Sequence, residues 1–231
     1  MTVKIVTDSC SDLTPQLAQK FGVTVVLLAE KTNEFLAIMF SQMLSDVYGA
    51  ALQGKTMVQK DCHIEVIDSK LAISAQMLLV ISAAQMARLG ANLDQIVDWV
   101  KKAIPRIHIQ MTFDTMEYSR KGGRIGKAQA FLGSLLKVNP ILTLKDGLVF
   151  PVARPRNRAK AIEHLVNFAR NFSHIEALAL EGVTTPADLE ILAERLKDMV
   201  SPEHFYRSKV DPVVGVHVGP HVLAACVLEA A

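Results

Sequence analysis

Apolar runs separated by polar turns along the first half of the chain predict strands and helices in alternation. Residues 3–7 form a short β-rich run, and Asp8-Ser9-Cys10-Ser11-Asp12 supplies turn and cap chemistry before a helix beginning near Leu13-Thr14-Pro15. Gly22 closes that helix and residues 24–28 make a second β-rich run. Residues 35–40 are a third candidate strand, leading through Ser41-Gln42-Met43-Leu44-Ser45 into a helix that reaches Leu52. Residues 64–67 are a fourth, ending in Asp68-Ser69. Helices are predicted over 71–89 and 93–103, with Gly90 and Asn92 between them, and a strand over 107–113. This alternation predicts a mostly parallel sheet with flanking helices.

Near Pro140 the pattern changes. Residues 141–144 and 148–150 flank Lys145-Asp146-Gly147, which reads as a hairpin with an Asp-Gly turn. Helices over 159–172 and 186–200 and strands over 177–180 and 222–228 follow. The expected fold class is α/β, with an N-terminal α/β domain over 1–137 and a smaller α+β domain over 138–231.

Composition narrows the class. With 231 residues, half of them hydrophobic, the chain can fill a substantial core, so disorder is not expected. Lys and Arg total 25 against 23 Asp and Glu, a net charge of +2, which excludes the strong basic excess of a nucleic-acid binder. Cys10, Cys62 and Cys226 are odd in number and never in a Cys-x-x-Cys pair, so neither a disulfide framework nor a zinc site is expected. The start of the chain lacks the regions of a secretory signal, and a cytoplasmic location is expected. Residues 71–87 are apolar, but they include Ser74, Gln76, Ser82 and Gln85, which are costly in hydrocarbon. A core or interdomain helix is expected there.

Several segments could carry chemistry. Strands end in Asp8-Ser9, Asp68-Ser69 and Ser41, and strand carboxyl ends are where parallel α/β sheets bind ligands; each such residue also suits a helix cap. The stretch from Arg120 to Lys127 combines four cations with three glycines, which suits a phosphate or carboxylate or a solvated basic turn, but it lacks P-loop spacing. Arg154, Arg156, Arg158 and Lys160 gather where a helix begins, an arrangement that suits either an anionic partner surface or plain surface solubility. His217 and His221 are four residues apart, but Gly219-Pro220 breaks the helix a zinc pair would need. His217, flanked by glycines, can instead donate to an anion. No nucleophile elbow, His-Glu-x-x-His or dinucleotide fingerprint occurs, so no catalytic residue, metal or cofactor is expected.

Taken in order, Val6-Thr7-Asp8-Ser9 with Ser11-Asp12-Leu13, Val66-Ile67-Asp68-Ser69-Lys70 and Asp114-Thr115-Met116-Glu117-Tyr118 through Lys121-Gly122-Gly123-Arg124-Ile125 resemble signatures of the DegV family. Gly133-Ser134-Leu135-Leu136, Pro140 through Gly147, Arg156 with Lys160-Ala161, and Gly215 through Pro220 continue the resemblance over nearly the whole chain. It implies a two-domain DegV-like fold similar to the binding subunit of bacterial fatty acid kinase. Such a protein holds a long-chain fatty acid between its domains and presents the carboxylate to the kinase catalytic subunit, with transient contact to a membrane surface. The resemblance assigns the carboxylate to Ser41, Gln42 and His217, and an anionic head group or partner to Arg124, Arg156 and Lys160.

The chain also departs from the family pattern. Gln42 stands where the family has a second serine, and Asp46-Val47 where it has Gly-Thr. The Thr-Ser-Gln-Pro loop, which ordinarily adds a threonine to the head-group site, has no counterpart between Leu28 and Phe35. Two further readings stay open: a small-molecule phosphotransferase related to dihydroxyacetone kinase, using His217, and a degenerate paralogue that keeps the scaffold without lipid.

Overall fold

The most apolar helix of the chain explains how the molecule is layered. In the computed structural model, which describes residues 3–25, 33–58, 61–131 and 138–231, the helix Ile73–Arg88 buries thirteen of its sixteen residues. A helix apolar on all sides must be covered on all sides, and this one lies between two β-sheets.

The first sheet contains β1 (Lys4–Thr7), β2 (Thr24–Val25), β3 (Glu34–Met39) and β4 (His63–Asp68) in the order β2-β1-β3-β4, all parallel. Helix α1 (Pro15–Phe21) follows β1, capped by Thr14, whose side chain accepts from Leu17 N–H, and ended by Gly22 at φ 69. Helix α2 (Val47–Met57) lies between β3 and β4, and Ile73–Arg88 is α3. Only residues 26–33 join β2 to β3, which lies on the far side of β1. Parallel strands are usually joined by a dozen residues or more, commonly including a helix, so the sheet shows the chain to be short where the family loop has no counterpart. The junction itself, residues 26–32, lies outside the described residues.

The second sheet has six strands. Helix α4 (Leu93–Ala103), opened by an Asn92–Gln95 capping box, leads to β5 (Ile107–Thr112); a short helix α5 (Glu117–Lys121) follows. Next come β6 (Ile141–Lys145), β7 (Leu148–Ala153), α6 (Arg158–Arg170), β8 (Ile175–Gly182), α7 (Pro186–Leu196), β9 (Phe205–Lys209), α8 (Pro212–Val218) and β10 (Leu223–Glu229). The order is β7-β6-β5-β10-β8-β9, antiparallel except at the β8–β9 edge. Asp146 (φ 50) and Gly147 (φ 79) make the tight β6–β7 turn their residue types predict.

One expectation is corrected here. The strand at 107–113 does not extend the parallel sheet: β5 hydrogen-bonds antiparallel to both β6 and β10. Its alternating apolar positions identify a half-buried strand but carry no information about its neighbours. The two sheets therefore divide between β4 and β5. One face of the second sheet packs on α3, the other on α6 and α7 through a separate cluster that includes Leu165, Leu178, Leu192 and Val227. Among the described residues no helix is long and apolar enough to cross a membrane.

Candidate functional site

The strand-end acids brace turns. Asp8 is buried; its Oδ1 accepts from Cys10 N–H at 3.0 Å and its Oδ2 from Phe40 N–H at 2.7 Å. Gln76 of α3 donates to the same Oδ2 and also to Thr7 Oγ1 and the Ile38 carbonyl, tying α3 to β1 and β3. Burial raises the Asp8 carboxyl above its usual value, against the opposing pull of these donors. Asp68 Oδ1 accepts from the N–H groups of Gln42 and Lys70, and Ser69 Oγ accepts from Leu71 N–H.

Ser41 is also committed. Fully buried, it donates through Oγ to the Gly147 carbonyl at 2.9 Å and accepts from Met43 N–H at 3.2 Å. The β6–β7 turn of the second sheet is thus fastened to the end of β3 in the first.

A cavity of about 250 Å³ opens between the two sheets. Its walls are apolar, including Phe40, Ile73, Met111, Leu142 and Val214, and its polar rim comprises Cys10, Ser45, Ser119, Arg124 and His217. Ile73 adopts φ 50, unusual for a β-branched residue, and is 2% exposed. This backbone turns the chain from β4 into α3 and puts Ala72 and Ile73 at the cavity wall.

His217 enters from α8, a helix started by Pro212, capped through Asp211 to Val213 N–H at 2.8 Å and ended at Gly219, φ 83. Its backbone carbonyl accepts from Ser119 Oγ at 2.8 Å, which locks α8 to α5. Its Nδ1 is buried and has no partner among the described residues. Burial, and secondarily the Arg124 charge, holds the imidazole below its usual pKa. The Arg124 guanidinium is fixed from its other side, Nε donating to the Leu44 carbonyl at 3.2 Å and Nη1 to Gly122 at 2.9 Å. An unsatisfied imidazole nitrogen beside an oriented guanidinium, at the polar end of an apolar cavity, suits a carboxylate.

The structure therefore brings together two of the six residues singled out in the sequence, His217 and Arg124. Gln42 is exposed and lines a neighbouring depression of about 330 Å³, which shares Leu44, Ser45 and Arg124 with the cavity. Ser41 lines neither space. Arg156 and Lys160 are exposed around the start of α6 and line neither. Sequence reasoning matched Ser45 with Ser41 to the family segment but did not assign it to the site, and it passed over Ser119 as a cavity residue and Gly122 as the surface against which His217 rests. Ser45 lay within the matched segment, but nothing in the spacing separates it from Ser41. Below the cavity, across Leu144, is a wider groove of about 710 Å³ with Lys70, Lys101 and Lys145 on its rim. No group of acids, cysteines and histidines among the described residues could hold a metal ion.

The model of the family described as "Uncharacterised protein, DegV family" matches residues 26–230. A DegV domain-containing protein of Caldanaerobacter subterraneus subsp. tengcongensis is 34% identical over 196 residues, 84% of this chain and 70% of its own length. One from Clostridium perfringens is 26% identical over 272 residues, covering 95% and 96%. That alignment is longer than this chain, so the relative carries residues with no counterpart here. Among solved structures, the fatty-acid-binding DegV family protein from Thermus thermophilus superposes with a TM-score of 0.87 at 22% identity, covering all of both chains. In sequence and in fold, this chain belongs to the DegV family.

Proposed function

We propose that this protein binds a long-chain fatty acid, with the acyl chain in the cavity between the sheets and the carboxylate at His217 and Arg124, and presents that carboxylate to a kinase partner. The observation that carries the reading is the pairing of an apolar cavity with a buried imidazole nitrogen that lacks a partner. Burying a methylene contributes about 0.8 kcal/mol, while a carboxylate taken out of water needs donors at once. Ser45 at the polar rim is a further donor within the same cavity. Ser41 acts indirectly in this reading, holding the β6–β7 turn whose flanking strands carry Leu142, Leu144 and Val149 of the cavity wall. At 250 Å³ the cavity lies just under the roughly 300–1,000 Å³ of small-molecule sites, and a long chain continues past Leu144 into the groove.

Arg156 and Lys160 face solvent as a basic surface for the partner or for an anionic membrane surface. Three free cysteines, one fully buried, suit the cytoplasm. The protein itself supplies no catalytic group in this reading. Organic extraction of the purified protein followed by lipid mass spectrometry tests it: a stoichiometric fatty acid is expected. Recovery of none, together with no uptake of added oleate or palmitate, overturns the reading. Transfer of phosphate from ATP to the bound carboxylate only when a kinase subunit is added tests the partner role separately.

A further inference from the structure

Two carboxyl groups that the carboxylate site does not use meet in the interior. Asp12, 6% exposed, sits in the turn before α1, and Glu181, fully buried, is on β8. Each has one oxygen with a clear duty. Helix α3 begins after Ala72, which has no side chain to cap it, and Glu181 Oε2 accepts from the Ser74 N–H at 2.9 Å in its place. Asp12 Oδ1 accepts from the backbone N–H of Asp211, the cap residue of α8, at 2.7 Å. The other two oxygens, Asp12 Oδ2 and Glu181 Oε1, are buried with no donor to satisfy them. Two ionised carboxylates cannot supply one, but a single proton between them satisfies both at once.

We propose that Asp12 and Glu181 share one proton, and that this acid pair is a positioning element of the cavity. It links the start of α3, which carries Ile73, to the start of α8, which carries Val214 and His217, and so sets the separation of two cavity walls. The cavity's being the fatty-acid site rests on the functional reading above; the shared proton does not.

The surroundings support the proton's place. Burial first, then the Glu181 carboxyl and the Asp211 charge, push Asp12 up to about 11, with the Asp211 N–H pulling the other way. Besides Asp211, the titratable group facing the pair among the described residues is Cys226 on β10. Its Sγ lies 2.9 Å from Ser74 Oγ, and burial keeps the thiol protonated well beyond its usual range. An acid whose folded pKa is raised favours the folded state at low pH. That preference is lost as pH rises from the unfolded value near 4 through the folded one, by about tenfold in the folding equilibrium per pH unit.

The test follows oleate affinity, by displacement of a fluorescent fatty acid, and folding, by denaturant titration, from pH 7 to pH 10. Wild-type protein is expected to lose stability as pH rises, while the folded protein, which keeps the shared proton over this range, holds its affinity. Asp12→Asn keeps an acceptor for Asp211 N–H and gives Glu181 a permanent donor, so near pH 7 it is expected to retain affinity where Asp12→Ala loses about tenfold or more. Asp12→Asn should also lack the alkaline decline. If Asp12→Ala does not fold, Glu181→Gln, which can still accept from Ser74 and now donates to Asp12, should flatten the same profile. A profile unchanged in Asp12→Asn and Glu181→Gln, or wild-type affinity in a folded Asp12→Ala, overturns the proposal. Failure of wild-type protein to bind any fatty acid removes the functional reading and the cavity role, while the stability profile still decides on the shared proton.

Discussion

The carboxylate site depends on a residue with no side chain. Gly122 ends α5 at φ −76, ψ −7, a conformation any residue adopts, so Gly122→Ala carries no backbone penalty. By lowering the entropy of the unfolded chain it should even stabilise by about 0.4–1 kcal/mol. Yet an added Cβ would lie 2.1 Å from His217 Nδ1 and 3.0 Å from Cε1. Ordinary contact is about 3.5 Å, so the ring has to retreat by about 1.4 Å. It cannot take α8 with it freely, because Ser119 of α5 holds the His217 carbonyl. The imidazole instead rotates away from the rim shared with Arg124. A lost hydrogen bond to a charged group costs about 1.5–3 kcal/mol, which is roughly 10- to 150-fold in affinity.

Gly123→Ala is the matched control: its φ of 70 disfavours a side chain, but an added Cβ meets nothing within 4 Å. It should destabilise by roughly 1 kcal/mol and leave binding alone. Oleate affinity by isothermal titration and melting temperature, measured on both variants, separate the two effects. Wild-type affinity in Gly122→Ala, or an equal loss of affinity in Gly123→Ala, refutes the assignment of the carboxylate to His217.

Three further outcomes are expected. His217, held low by burial and by Arg124, should regain its proton when a carboxylate arrives beside it. Binding near neutral pH then takes up protons, detectable as a buffer-dependent enthalpy that vanishes in His217→Ala. In the ligand-free protein the same depression weakens folding as pH falls below about 6.5, where the unfolded imidazole protonates first. Leu144→Ala widens the passage from the cavity to the groove beyond it, so affinity should keep rising by about fourfold per added methylene to longer chains than in wild type. An unchanged chain-length profile counts against passage at Leu144. Gln76→Leu leaves the buried Asp8 Oδ2 and Thr7 Oγ1 short of a donor, at a cost of about 1–3 kcal/mol. At about 2–4 °C per kcal/mol for a chain of this size, a melting temperature within a degree of wild type would show the network to be dispensable.

What the sequence makes legible here follows from the range over which each interaction acts. The helix over 71–89 is readable from local composition, and so is its burial, because a run of that apolarity has nowhere else to go. Its polar residues are not readable: Ser74 and Gln76 find their partners in Cys226, Thr7, Asp8 and Ile38, distant positions that no spacing rule connects to them. The same limit applies to β5, whose alternation identifies a strand and leaves its sheet undetermined. It applies as well to the recurrent Asp-Ser pairs, whose turn chemistry is local and real but spends the carboxylates on backbone N–H groups.

At the site, the choice among Ser41, Gln42 and Ser45 cannot be made within the segment that contains them. It is made by the β6–β7 turn, which arrives about a hundred residues later in the chain and takes the Ser41 proton with the Gly147 carbonyl. A substitution at that turn should therefore act on the cavity. Gly147 sits at φ 79, and an added Cβ would lie 2.5 Å from Ser41 Oγ, so a side chain there would force apart the two sheets' only serine-to-turn fastening among the described residues. The head-group end of the cavity is thus specified less by which polar residues the segment contains than by which of them the second sheet leaves unoccupied.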